Sequence, residues 1–239
     1  MTAAKTFMYR TTGLIIILLG TVIVAKAQPK GASFWLSAQL PIDLSPRLQW
    51  HNDLAYKSNG VTFRTYQRWY RTGLRYRING KFNVAGGVGF LATQASTNSK
   101  DDEFGREFRV WEEMIFQNPM KNDWQFQNRV RVEERFLKAT TTKPSSQILQ
   151  LSDRVSFTKT LTKKWDMQFA DEFFEQVIDK DFVFSQNRLM GIGIYNISRK
   201  FQVQGAYIWV VRKTFTQHIL QVTIRKLFSA YGRHDQGSE

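Results

Sequence analysis

From residue 28 onward the apolar positions of this chain recur at every second residue, the period of an extended strand with two unlike faces. The segment WQFQNRVRVEERFL (124–137) shows it best. Trp124, Phe126, Val130, Val132 and Phe136 share one face, interrupted by Asn128 and Glu134. Gln125, Gln127, Arg129, Arg131, Glu133 and Arg135 share the other. A helix would scatter these residues around its circumference. The same division recurs in about eleven segments, the first at Phe34–Leu40. Examples are Tyr66, Tyr70, Leu74, Tyr76 and Ile78 against Gln67, Arg71, Arg75 and Arg77, and Leu220, Val222, Ile224 and Phe228 against Gln221, Thr223 and Arg225. Residues 165–176 and 182–196 alternate less cleanly. Within the region 32–56, Pro41 and Pro46 make a tight turn.

The alternating segments run about ten to fourteen residues, longer than the usual five or six of soluble strands and long enough for a tilted bilayer crossing. Short connections (79–81, 118–123, 162–164, 198–200) alternate with connections that are mostly longer and more polar (57–60, 94–102, 138–146, 177–181). Phe82, Trp124, Trp165 and Phe201 open segments just after short turns, and Phe116 and Phe228 close segments on that side, as an interfacial girdle requires. The pattern predicts an all-β fold, an antiparallel transmembrane β-barrel of about ten to twelve strands. An even count, with both termini at one end, is the rule for bacterial barrels. Ten strands result if the first segment is not a full crossing, and twelve if two segments have been merged.

The first 27 residues change the picture. Lys5 and Arg10 precede a thirteen-residue apolar run, GLIIILLGTVIVA (13–25), followed by Ala25-Lys26-Ala27. This is the layout of a secretory signal, cleaved before Gln28, and the run is too short for a membrane-spanning helix. The expected organisation is therefore a cleaved signal peptide (1–27) and one outer-membrane β-barrel domain (28–239) of a Gram-negative bacterium. The 239 residues contain no cysteine, which removes disulfides, thiol nucleophiles and the lipid-bearing residue of a lipoprotein. The formal charge is +14. Because the arginines alternate with apolar residues inside strands instead of clustering on one exposed element, nucleic acid is not expected as a partner.

If the apolar faces meet lipid, the alternate faces line the lumen. The expected lumen-lining residues are Arg71, Arg75, Arg77, Arg109, Glu113, Arg129, Arg131, Glu133, Arg135, Arg154, Glu172, Arg212 and Arg225, with Glu107 and Asp166 among the further acids. Arginine offers carboxylates a rigid fork of donors. Two readings of such a lumen stand side by side: a plug of ion pairs, and a narrow path favouring anions. Catalysis has little to work with. His51 and Asp53 form a candidate base and orienting carboxylate on one strand face, without a serine elbow beside them. Glu112-Glu113, Glu133-Glu134 and Asp171-Glu172 send one carboxylate to each face. Gly86-Gly87-Val88-Gly89 lies inside a strand and reads as curvature or close packing, not as a phosphate loop. No cofactor and no metal is expected.

The segments RTGLRYRINGKFNVAGGVGF (71–90), REFRVWEEM (106–114), RVRVEERF (129–136), WDMQFADEFF (165–174) and FSQNRLMGIGIY (184–195), in this order, resemble an uncharacterised family of outer-membrane β-barrels, the domain of unknown function DUF2490. The resemblance implies the fold and an outer-membrane location, and brings no activity and no site residues. The chain departs from the barrel habit of stopping at a terminal aromatic, since an eleven-residue, mostly polar tail follows Phe228. The expectation is a non-enzymatic barrel with a structural or partner-binding role, in contact with outer-membrane lipid and with a possible protein partner. The alternatives are a narrow anion-favouring pore, a barrel enzyme acting on lipid or peptide, and a soluble periplasmic barrel holding an apolar ligand.

Overall fold

A computed structural model describes residues 28–58, 65–94, 104–141, 143–178 and 180–231. The expected signal segment lies outside the described residues. All regular structure in them is β: β1 (Gln28–Gln39), β2 (Ile42–Asp43), β3 (Leu48–Ser58), β4 (Thr65–Arg77), β5 (Phe82–Gln94), β6 (Phe104–Pro119), β7 (Trp124–Leu137), β8 (Ser146–Thr160), β9 (Trp165–Ile178), β10 (Asp181–Ser198), β11 (Phe201–Arg212), β12 (Phe215–Lys226) and β13 (Phe228–Ser229).

Eleven of these are long, and each consecutive pair from β3 to β12 is antiparallel. The sheet closes through β1, which pairs antiparallel with β3 and parallel with β12. The short β2 and β13 continue that parallel seam, with Phe228 opposite Ile42. The count is therefore neither ten nor twelve. The first segment is a full strand, two neighbours have not been merged, and the barrel is antiparallel except at one seam. An odd count forces this outcome, because the first and last strands then run the same way when the ring closes. β1 starts at the end where the longer connections lie, and β12 finishes at the opposite end.

One end carries turns of two to four residues, between β2 and β3 and after β4, β6, β8 and β10. At the other end the connections after β3, β5 and β7 are longer. Those after β9 and β11 are only two residues, so the expected asymmetry holds for the first half of the barrel. Lys180 turns the short β9–β10 corner with φ 72°.

The two faces of the wall differ as the period-two pattern requires. Outward positions such as Leu74, Phe90, Met114, Phe169 and Leu220 are about half exposed. Inward positions such as Asp53, Glu113, Arg131, Glu133 and Glu172 are buried. Aromatic rings form two outward bands. At the turn end Phe82, Phe116, Phe126 and Phe157 follow one another with centroids 4.9, 6.2 and 5.3 Å apart, and Trp165 lies 4.9 Å from Tyr195. At the loop end, where no band was expected, Phe90, Phe108 and Phe136 are spaced 5.3 and 6.1 Å apart, and Phe173 and Phe184 5.4 Å. Phe82 and Phe90 stand eight residues apart on β5, about 27 Å of strand.

Candidate functional site: the charged interior

Strand alternation delivers the inward residues of β4–β10 into one enclosed space, where guanidinium and carboxylate groups link into a single string. Arg188 on β10 approaches Glu172 on β9 at 3.8 Å. Glu172 also receives the Arg129 guanidinium, which reaches past β8, where the small Ser152 and Ser156 face inward. Arg129 lies 4.0 Å from Glu113. Arg131 donates to Glu113 through Nε and Nη2, at 2.9 and 2.5 Å, and approaches Glu133 at 3.5 Å. Arg109 joins Glu133 to Glu107, at 2.7 and 2.6 Å, and Arg135 grips both oxygens of Glu107. Arg75 adds a third guanidinium to Glu113 at 3.3 Å. Alternation of sign along the string gives every carboxylate at least two cationic neighbours.

The remaining residues expected in the lumen divide by partner. Arg71 donates to Asp53 through Nε and Nη2, outside the string. Arg154, Arg212 and Arg225 form no ion pair among the described residues and donate to the amide oxygens of Gln168, Gln186 and Gln202. Arg77 does not join them. It is exposed at the turn end and donates to the Pro46 carbonyl at 3.3 Å, because β4 has already left the enclosed length of the wall there. Asp166 accepts from Asn196. The candidate dyad is not assembled, since the Asp53 carboxylate is held by Arg71 and no hydrogen bond joins it to His51 among the described residues.

Three interior tryptophans were not anticipated from the sequence. Trp111 is 3% exposed, and its ring lies 5.0 Å from the Arg71 guanidinium and 5.6 Å from that of Arg131, within cation–π range. It rests on paired glycines: Gly73 opposes Gly87, and Gly87 opposes Trp111. A Cβ on Gly73 would stand 2.5 Å from the indole, and one on Gly87 would stand 2.1 Å from the Thr72 carbonyl oxygen. Gly73 on β4 therefore leaves the space for the indole, and Gly87 on β5 lets the two strands approach closely beneath it. Trp35 and Trp69 flank the Lys57 amine at 4.1 and 6.0 Å. Arg188, the other cation not anticipated, lies over Phe174 at 4.4 Å.

The opposite wall of the interior carries an apolar cluster. Ala170, Met190, Ile192, Ile208, Val210 and Ile219, from β9 to β12, pack into one cluster with Trp35, Ile194 and Ala206 against it. Ile219 is 0% exposed and Val210 1%. At the turn-end mouth a polar cavity of about 250 Å³ is lined by residues that include Arg47, Arg75, Arg77 and Arg225, with Asp43 among them.

Residues 32–220 match the family described as "Protein of unknown function (DUF2490)". No curated protein matches the chain. Among solved structures, the chain is similar to one described as "NanC porin structure in rhombohedral crystal form", with a TM-score of 0.51 and 7% identity, over 79% of this chain and 90% of that one. At that identity the likeness concerns the fold, a porin-like barrel.

Proposed function

The chain belongs to the DUF2490 family, and from that premise and its geometry we propose an outer-membrane barrel whose interior is closed by its own side chains. Its role is then structural or partner-binding, exercised through its surface, with no reaction of its own. The observation that carries this reading is the burial of Ile219 and Val210 on the inward face, at 0% and 1%. A residue bordering a continuous water path would be wetted, and small barrels are filled by side chains in this way. The charge string supports the same reading from the other wall, since paired ions crossing from β10 to β6 occupy the space that a solute would need. The half-exposed apolar outer band, bounded by two aromatic rows, suits the hydrocarbon layer and its interfaces.

The location is tested by fractionation. The mature chain is expected to begin at Gln28, to sediment with outer membranes and to migrate faster unheated than boiled. Recovery in the soluble periplasmic fraction would contradict it. The closed interior is tested with reconstituted vesicles, which should lose trapped chloride no faster than protein-free vesicles. A second reading, a narrow anion path, draws on Arg154, Arg212 and Arg225, which donate to glutamine amides and form no ion pair among the described residues. Fast efflux of chloride with slow efflux of potassium would favour it.

A further inference from the structure

The outward face carries an unbalanced row of cations at the loop end. Arg68 on β4 opposes Ala92 on β5, and Ala92 opposes Arg106 on β6. The backbone N–H of Lys138, just past β7, donates to the Arg106 carbonyl at 2.9 Å. Arg68 and Arg106 thus stand two strand spacings apart, about 10 Å, with Lys138 beside the second. All three are exposed. Among the described residues none of them lies within ion-pair distance of a carboxylate. Most interior arginines have one. Glu134, an acid on the same outward face, is engaged by the Gln147 amide at 2.5 Å.

One step toward the turn end lies the aromatic row Tyr70, Phe90, Phe108 and Phe136, in register across β4–β7. Row and cations border a concave groove of about 1160 Å³ on the outer wall, whose other walls include Leu36, Leu54 and Ile224. Groove, aromatics and cations follow one another in the order in which acyl chains, the interface and phosphates follow one another in a lipid leaflet. Charge complementarity selects the occupant: a groove wide enough for several acyl chains, with cations on its head-group side that pair with no carboxylate among the described residues, takes a lipid bearing more than one anionic group.

We propose that this face docks a phosphorylated, multiply acylated glycolipid of the outer leaflet, of the lipid A class. Acyl chains occupy the groove, and phosphates meet Arg68, Arg106 and Lys138. The proposal rests on the outer-membrane reading above, with the loop end facing outward.

The test is native mass spectrometry of the detergent-folded protein titrated with purified lipid A, alongside lipid A stripped of its phosphates. The wild type is expected to prefer the phosphorylated form. The triple variant Arg68→Gln/Arg106→Gln/Lys138→Gln should bind it about a hundredfold more weakly, from the sum of three surface cation–phosphate contacts. Lys81→Gln/Lys121→Gln, at the turn end, should bind as the wild type does. Unheated gel mobility confirms that each variant is folded. Equal binding of the two lipids, an equal loss in the turn-end variant, or a second copy of the chain in place of lipid would overturn the proposal. Binding by a chain that does not sediment with outer membranes would leave the site standing and remove the location. A chain that sediments there without preferring the phosphorylated lipid would remove the site alone.

Discussion

The two walls of the barrel interior are filled by opposite means. On the β4–β9 side the space is filled by long charged residues whose positions are specified by the geometry of their partners, as with Arg131 between Glu113 and Glu133. On the β9–β12 side Met190, Ile192, Ile208, Val210 and Ile219 fill volume without directional bonds. Ion pairs taken out of water gain little net stability, yet breaking one leaves a costly lone charge. Apolar filling gains stability in proportion to area and tolerates changes of shape better. The charged wall is therefore expected to fix register and the apolar wall to supply cohesion.

Substitutions that strike one wall at a time separate these roles. The largest effect is expected from Glu113→Ala, which takes the shared carboxylate from Arg75, Arg129 and Arg131. A loss of about 3–5 kcal/mol should show as a lower temperature at which the fast-migrating folded band disappears on a gel. Ile219→Ala is expected to cost about 3 kcal/mol through the cavity it leaves. An effect larger than that of Glu113→Ala would reverse the assignment of roles. Gly87→Ala should follow at about 1–3 kcal/mol, because its Cβ meets the Thr72 carbonyl. The isolated Arg71–Asp53 pair sharpens the comparison further. Asp53→Leu/Arg71→Met should be less destabilised than Asp53→Leu alone, which a double-mutant cycle measures directly. Arg225→Gln, at the mouth and bonded to the Gln202 amide, is expected to change stability by no more than about 1 kcal/mol.

The same contrast decides how much of the molecule was legible in its sequence. Where one face is charged and the other apolar, as in residues 124–137, the period of two is clear and assigns each side chain to a face. In β10 the inward Met190, Ile192 and Ile194 alternate with the outward Leu189 and Tyr195, so both faces are apolar and the period fades. For the same reason Ile208 and Val210 gave no sign that they face inward, beside the Gln202 and Gln204 that did. Arg188 was overlooked because it sits in that blurred strand. Trp111 gave no signal of its own, since its seat is built from Gly73 and Gly87 on two other strands. The parallel seam is likewise invisible to pattern, because β1 shows the same alternation whichever way its neighbour runs. The turn-end aromatic band was legible from its place beside short turns, whereas the loop-end band adjoins longer connections and had no such marker.

Single-channel recording of the folded wild-type chain in a planar bilayer tests the closed interior most directly. Insertion without steady conductance is expected, because Ile219 and Val210 on one wall and the charge string on the other fill the space that a continuous water path would need. A stable, anion-selective conductance in the wild type, weakened in selectivity by Arg154→Gln or Arg212→Gln, would contradict it and establish the pore.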